Sequence, residues 1–317
     1  MVVTKLVNLL KTARPRQWVK NLTLYAALIF TGNIYGFDKW ILDFGTVTEA
    51  VLAFTVVAVA IYFLNDVVDI KADQAHPFKK KRPIASGKIS TIEALIIFII
   101  GGVTGLLWSY KLSPLFFGAV IAYFLMQVLY SLILKNFEVV DVFVIAFGFF
   151  LRVFAGALVI NAHLSIWFLL CVISTSLFIA VGKRRGELAI LTEQAEVHRK
   201  VMGKYTADIL DAYVSIFATS AFLSWALYTF NFYDQGGGYI PQTGTITTLV
   251  SRTLTINKWL MATIPVVIFG IMRYLRIIYD GSRAESPERV ILSDGPLLLT
   301  VLVWILMVMG VLYGVWF

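Results

Sequence analysis

The 317-residue chain is 59% hydrophobic and only 15% charged, with a mean hydropathy of +0.82 and a formal net charge of +8. No ordinary soluble domain of this length carries so few charges, so soluble and disordered classes are excluded and a polytopic membrane protein is expected. The one cysteine, Cys171, lies in an apolar stretch, which excludes a disulfide framework and a cysteine-based metal site.

Residues 1–13 set Lys5 and Lys11 around a short apolar run and read as an amphipathic surface helix rather than a cleavable signal. Nine apolar segments then follow, at roughly 18–36, 47–66, 91–109, 114–134, 139–160, 165–182, 208–230, 258–279 and 297–316, each long enough to span a bilayer. The first is preceded by R-P-R-Q-W-V-K-N, residues 14–21, where Lys20 and Asn21 serve either as an interfacial anchor or as contacts to a substrate phosphate.

The second span runs into N-D-V-V-D-I-K-A-D, starting at Asn65. Asp66, Asp69 and Asp73 stand at i, i+3 and i+7, so a continuing helix would set all three on one face. Three converging carboxylates suit Mg²⁺, a hard cation usually shared between carboxylates and substrate phosphates. The basic run Lys79, Lys80, Lys81 and Arg82 follows. Topology alone places such runs in inner loops, but acid beside base also fits a metal-bridged phosphate or diphosphate.

Between the fourth and fifth spans, Tyr130, Ser131, Lys135, Glu138 and Asp141 appear. Lys135 either snorkels or supplies a cation to a phosphate, and Asp141 is a candidate metal or hydroxyl ligand. Arg152 lies about three turns into the fifth span, an expensive position facing lipid, so it is expected to face a wet interior cavity, in a salt bridge or on an anionic substrate. After the sixth span, Gly182-Lys183-Arg184-Arg185-Gly186-Glu187 sets Glu187 against Lys183 at i, i+4. His76, His163 and His198 lack ligand spacing, and no nucleotide-binding glycine motif or nucleophile elbow occurs. The segment 231–257 is polar and Gly-rich, and Trp18, Trp40, Trp108, Trp167, Trp259 and Trp316 fall near span ends as an interfacial belt.

The segments 67–90, 135–138, 183–207 and 280–296 fall on one side with the N-terminus. Of the 27 Lys and Arg, only Lys39, Lys111, Arg252 and Lys258 lie on the other side, and Arg152 lies within a span. The positive-inside rule then makes the N-terminus and the chemistry cytoplasmic, in the cell membrane, with Phe317 and the 231–257 loop outside. The two longest inner loops follow the second and sixth spans, which hints at two related four-helix halves plus one helix within a single domain, 1–317.

N-D-x-x-D-x-x-x-D after the second of nine spans, with Y-S-L-I-L-K before the fifth, resembles the UbiA superfamily of intramembrane prenyltransferases. That resemblance implies an all-α bundle of nine transmembrane helices with a cytoplasm-facing cavity, and Mg²⁺ held on Asp-rich motifs against a diphosphate leaving group. The second motif departs from the usual pattern: where D-x-x-x-D is expected, Lys183-Arg184-Arg185-Gly186-Glu187 has a single acid. Together with R-P-R-Q-W-V-K-N, H-P-F-K-K-K-R-P-I-A-S-G, G-F-F-L-R-V-F-A-G-A and S-P-E-R-V-I-L-S-D, the departure is similar to the decaprenyl-phosphate phosphoribosyltransferase branch.

That branch implies transfer of 5-phosphoribose from phosphoribosyl diphosphate (PRPP) to a polyprenyl phosphate, inverting at C1, on the way to cell-wall arabinan donors. Under this reading Asp66, Asp69 and Asp73, with Asn65, hold Mg²⁺, while Lys79, Arg82, Lys183 and Arg184 neutralise the donor's phosphates. Lys20, Asn21, Tyr130, Lys135, Asp141 and Arg152 complete the substrate site, and Glu187 takes a second metal or orients Lys183. The rivals are transfer of an isoprenoid from its diphosphate to an aromatic acceptor and, more remotely, lipid transport, although charges clustered at span ends are unlike a mid-membrane transport site. No nucleic-acid partner is expected, and assembly into a homo-oligomer is left open.

Overall fold

The computed structural model describes residues 2–30, 37–75, 79–190, 205–232, 259–279 and 293–313, and among them every regular element is helical. Helix α1 (Val2–Ala13) leads to a ten-residue 3₁₀ helix (Pro15–Leu24) and a short α2 (Tyr25–Phe30). Then come α3 (Phe37–Val68), α4 (Ile70–Ala75), α5 (Thr91–Leu112), α6 (Pro114–Leu132), α7 (Val140–Val159), α8 (Ile166–Ile190), α9 (Ala207–Asn231), α10 (Ile264–Tyr279, after a 3₁₀ turn at Trp259–Thr263) and α11 (Gly295–Leu312). Among the described residues, eight helices are long and apolar enough to cross a membrane. The first expected span, 18–36, is described only as far as Phe30. Its described part is a broken 3₁₀/α stretch, because Pro15 starts it and the tighter winding leaves Asn21 and Leu24 fully buried. His76, His198, Trp316, most of the 231–257 loop, residues 191–204 of the 183–207 loop and residues 280–292 of the 280–296 segment lie outside the described residues.

Lipid gives helices no hydrophobic reason to associate, so close packing of small residues has to supply one. A Cβ on Gly105 of α5 would stand 2.5 Å from Val57 Cγ2, and one on Gly101 3.2 Å from Ala60 Cβ, so α5 rides directly on α3. Gly156 of α7 is tighter still: a Cβ there would meet the Leu24 carbonyl oxygen at 2.0 Å. At the far side, Phe30, Phe168, Trp225, Tyr228 and Trp304 form one aromatic cluster, and Tyr313 Oη donates to Ile29 O at 2.8 Å, tying α11 to α2.

Helix α1 lies across one end of the bundle. It buries Asn8 and Thr12 while Val3, Leu6 and Leu10 are exposed, and Lys5 Nζ reaches Glu93 Oε1 of α5 at 2.5 Å. Leu9 and Ala13 also pack inward, and Lys5 and Lys11 are exposed with the apolar side chains.

Candidate active site

Most of the candidate residues, though not Arg152 and Asn21, gather at one end of the bundle, where α3, α6 and α8 finish and α5, α7 and α9 begin. Helix α3 breaks at Asp69, but Asp69 N–H still donates to Asn65 O (2.9 Å) and Asp73 N–H to Asp69 O (2.8 Å), so helical phase carries into α4. At about 100° per residue, positions seven apart differ by only ~20° while the third residue is ~60° away. The structure obeys that phase. Asp66 and Asp73 are both buried and both accept from Arg82 Nη1, at 3.1 and 2.7 Å, whereas Asp69 turns aside to Lys135. The expected single face therefore holds for two of the three acids.

The loop after α4 owes its course to burial. Ile84 and Ile89 pack with Ala13, Phe63 and Ala94, Gln74 Nε2 donates to Ala85 O at 3.1 Å, and Gly87 takes the left-handed φ of 74° that closes the turn. Ser90 and Glu93 then cap α5 reciprocally. This anchoring aims Arg82 inward and leaves Lys79, Lys80 and Lys81 on the exposed rim. Burial, and the like charges of Asp66 and Asp69 beside it, push the Asp73 carboxyl above its ordinary value, against the opposing pull of Arg82.

Arg14 also bonds Asp66, and its guanidinium lies 5.3 Å over the Tyr62 ring. Arg14 sits in the left-handed region (φ 52°, ψ 61°), a conformation that costs a non-glycine residue about 1 kcal/mol and here swings the chain from α1 into the 3₁₀ helix. The sequence had offered Arg14 only as one of three clustered cations; its place before Pro15, where a helix must stop, was the available signal.

The end of α6 touches both halves of the site. Ser131 donates to Asn65 Oδ1, Lys135 to Asp69, and Tyr130 Oη stands 3.4 Å from Arg184 Nη2. Arg184 of α8 is fully enclosed: Nε lies 2.7 Å from Asp141 Oδ2, off the axis of a good hydrogen bond, and Nη1 donates to Glu187. Arg184 and Asp141 are thus a fully buried ion pair whose Nε and Oδ2 make no hydrogen bond, while Lys183, 3.9 Å from Glu187 Oε1, and Glu187 itself are only partly covered. Arg185 points away, to Asp211 Oδ1 at 2.6 Å and over the Tyr279 ring. Tyr205, which the sequence did not flag, accepts from Val139 N–H at 2.7 Å and donates to Asp141 Oδ1 at 2.8 Å.

Arg152 does not join this cluster. Its Nε donates to Asn21 Oδ1 (2.9 Å), Nη1 to Gly148 O (2.7 Å) and Nη2 to Tyr123 Oη (2.8 Å), and the guanidinium lies within 5.6 Å of the Phe54, Tyr123 and Phe149 ring centres. Its described partners are all neutral. Asn21 passes the contact on to Thr55, eleven residues before Asp66 on α3, which is roughly 16 Å along the helix axis. In place of the expected wet cavity, Arg152 is 5% exposed and pins the N-terminal 3₁₀ helix to α7.

Among the described residues no three acidic, histidine or cysteine side chains converge as a ready metal site. Two do converge: Asp66 Oδ1 and Asp73 Oδ2 both lie within 3.1 Å of one guanidinium nitrogen, a pair of hard oxygens fitted to a single cation.

Residues 25–293 match the UbiA prenyltransferase family. The chain is 32% identical over 299 residues to the decaprenyl-phosphate phosphoribosyltransferase of Mycobacterium tuberculosis, spanning 94% of this chain and 92% of that one. It is 28% identical over 311 residues to the enzyme of that name from Corynebacterium glutamicum, spanning 96% and 87%. In fold it is similar to the structure of a UbiA homolog from Archaeoglobus fulgidus bound to DMAPP and Mg²⁺, with a TM-score of 0.68, 17% identity, and 96% and 99% of the two chains covered. With the helical bundle, the carboxylates at the end of α3 and the family match over most of the chain in agreement, this protein belongs to the UbiA prenyltransferase family.

Proposed function

We propose that the protein transfers 5-phosphoribose from PRPP to a polyprenyl phosphate, releasing diphosphate. The observation that carries this reading is the charge balance of the site. Every acid near the N-D-x-x-D-x-x-x-D stretch is already matched by a cation, and the second motif presents Lys183 beside a single partly covered acid. Such a site suits a donor with more phosphate than a prenyl diphosphate bears. The names of the mycobacterial and corynebacterial relatives support the same choice.

Asp66 and Asp73 would hold Mg²⁺, which when bound neutralises the charge that develops on the leaving diphosphate. Arg82, freed from those two acids, and Lys79 on the rim are placed to bind diphosphate oxygens; Lys183, kept in position by Glu187, is placed for the 5-phosphate. Lys135 is held by Asp69 at the junction of the two halves. The bond from ribose C1 to the diphosphate oxygen breaks with its electron pair on diphosphate, and an oxygen of the lipid phosphate bonds C1 from the opposite face, giving inversion. A phosphate monoester is already anionic at neutral pH, so no general base is required. Lys20, on the 3₁₀ helix that Arg152 pins through Asn21, orients the acceptor phosphate. The positive-inside distribution of charge supports a cytoplasmic site in the cell membrane.

The test is direct. Purified protein in detergent with PRPP, Mg²⁺ and a long polyprenyl phosphate should release diphosphate and form a phosphoribosylated lipid, and EDTA should abolish both. Inactivity with PRPP but turnover of a prenyl diphosphate onto an aromatic acceptor would overturn the substrate assignment.

A further inference from the structure

Val139 carries a backbone conformation that a β-branched residue rarely adopts. With φ 66° and ψ −49°, and Val140 N–H bonded to Glu138 O at 2.7 Å, it is the centre of a γ-turn of the strained sign. Its side chain is exposed, so side-chain packing does not enforce the turn. The constraint comes from across the bundle. The phenol of Tyr205, just before α9, accepts the Val139 N–H and donates to Asp141 Oδ1, whose other oxygen faces Arg184.

The contacts form one path between the two halves of the site. Asp69 meets Lys135; the segment from Lys135 to Val139 ends on Tyr205; Tyr205 meets Asp141, Asp141 meets Arg184, and Arg184 meets Glu187. Strain persists only where surroundings over-determine it. Here one hydroxyl bridges the strained turn and the carboxylate two residues beyond it, and fixes both against the segment before α9.

We infer that Tyr205 is a positioning residue that latches the Val139 turn to the Asp141–Arg184 pair and so holds Lys135 and the Lys183–Glu187 pair at a fixed separation to grip the phosphates of the donor. The inference rests on the phosphoribosyl reading of the site for its kinetic consequence, but its structural part stands apart from any substrate.

Tyr205→Phe keeps the ring and removes both hydrogen bonds. Groups that grip the donor before and after bond cleavage contribute uniform binding, so their misplacement shows in KM. The expected result is a KM for PRPP raised roughly ten-fold, with kcat within about three-fold and KM for the lipid phosphate unchanged. Amide exchange at Val139 should quicken in the same variant. Tyr228→Phe removes the hydroxyl of another buried phenol, in the aromatic cluster at the opposite end, and should match wild type in all four readouts. Unchanged exchange at Val139, a fall in kcat at constant KM, or an equal loss in Tyr228→Phe would each overturn the latch. If neither wild type nor variant turns over PRPP, the substrate reading fails, and Val139 exchange alone then supports or overturns the latch.

Discussion

Asp66 and Asp73 share one guanidinium, and much of the site's behaviour follows from that contact. Removing either acid takes away one of two converging oxygens and leaves Arg82 with half its neutralisation. Asp66→Ala and Asp73→Ala should each lower kcat/KM by about 10²–10³, read at limiting Mg²⁺. Asp73 also sets a pH dependence. Its folded value lies above the ordinary 3.8, so the folded state holds that proton more tightly than the unfolded chain does. Stability from this group is therefore greatest below 3.8 and is lost as pH rises through the raised value. Thermal melts of wild type against Asp73→Asn in metal-free buffer should diverge over that window, the wild type losing ground as pH climbs. Helical phase in the sequence was enough to find these acids. It did not give their partners, because Arg82 is aimed by the burial of Ile84 and Ile89, which lie beyond it in the chain. Arg184 was likewise found by its charge but not with its partner, because only the tertiary arrangement brings Asp141 against it.

At the level of elements, the spans were legible because eight apolar stretches are long and uninterrupted. The 3₁₀ segment was not, since tight winding over ten residues has no periodic signature and is fixed here by neighbours. Gly156 is the clearest of these. A methyl group there would collide with the Leu24 carbonyl, a backbone atom that cannot rotate away. Gly156→Ala should cost about 1–3 kcal/mol and lower the midpoint of thermal unfolding in detergent. Gly118→Ala, with open space around it on α6, should leave that midpoint unchanged or raised. Because Asn21 and Lys20 ride on the displaced segment, Gly156→Ala should also raise KM for the lipid phosphate.

For the whole molecule, charge asymmetry predicts which end meets the cytoplasm. Ser86 and His163 are exposed at opposite ends of the bundle. In a Cys171→Ala background, His163→Cys should react with a membrane-impermeant thiol reagent on intact cells, and Ser86→Cys only after permeabilisation; the reverse pattern would invert the topology. The end of α3 and the break beyond it are bonded to the end of α6 and the turn after it at two steps, Asn65 to Ser131 and Asp69 to Lys135, four residues apart on each partner. Those paired steps act as a gauge. Exchanging a side chain loses one rung, but inserting one residue in either helix below the pairs turns everything beyond it by about 100° and advances it ~1.5 Å, separating both rungs together. The two helices therefore tolerate changes of residue far better than changes of length.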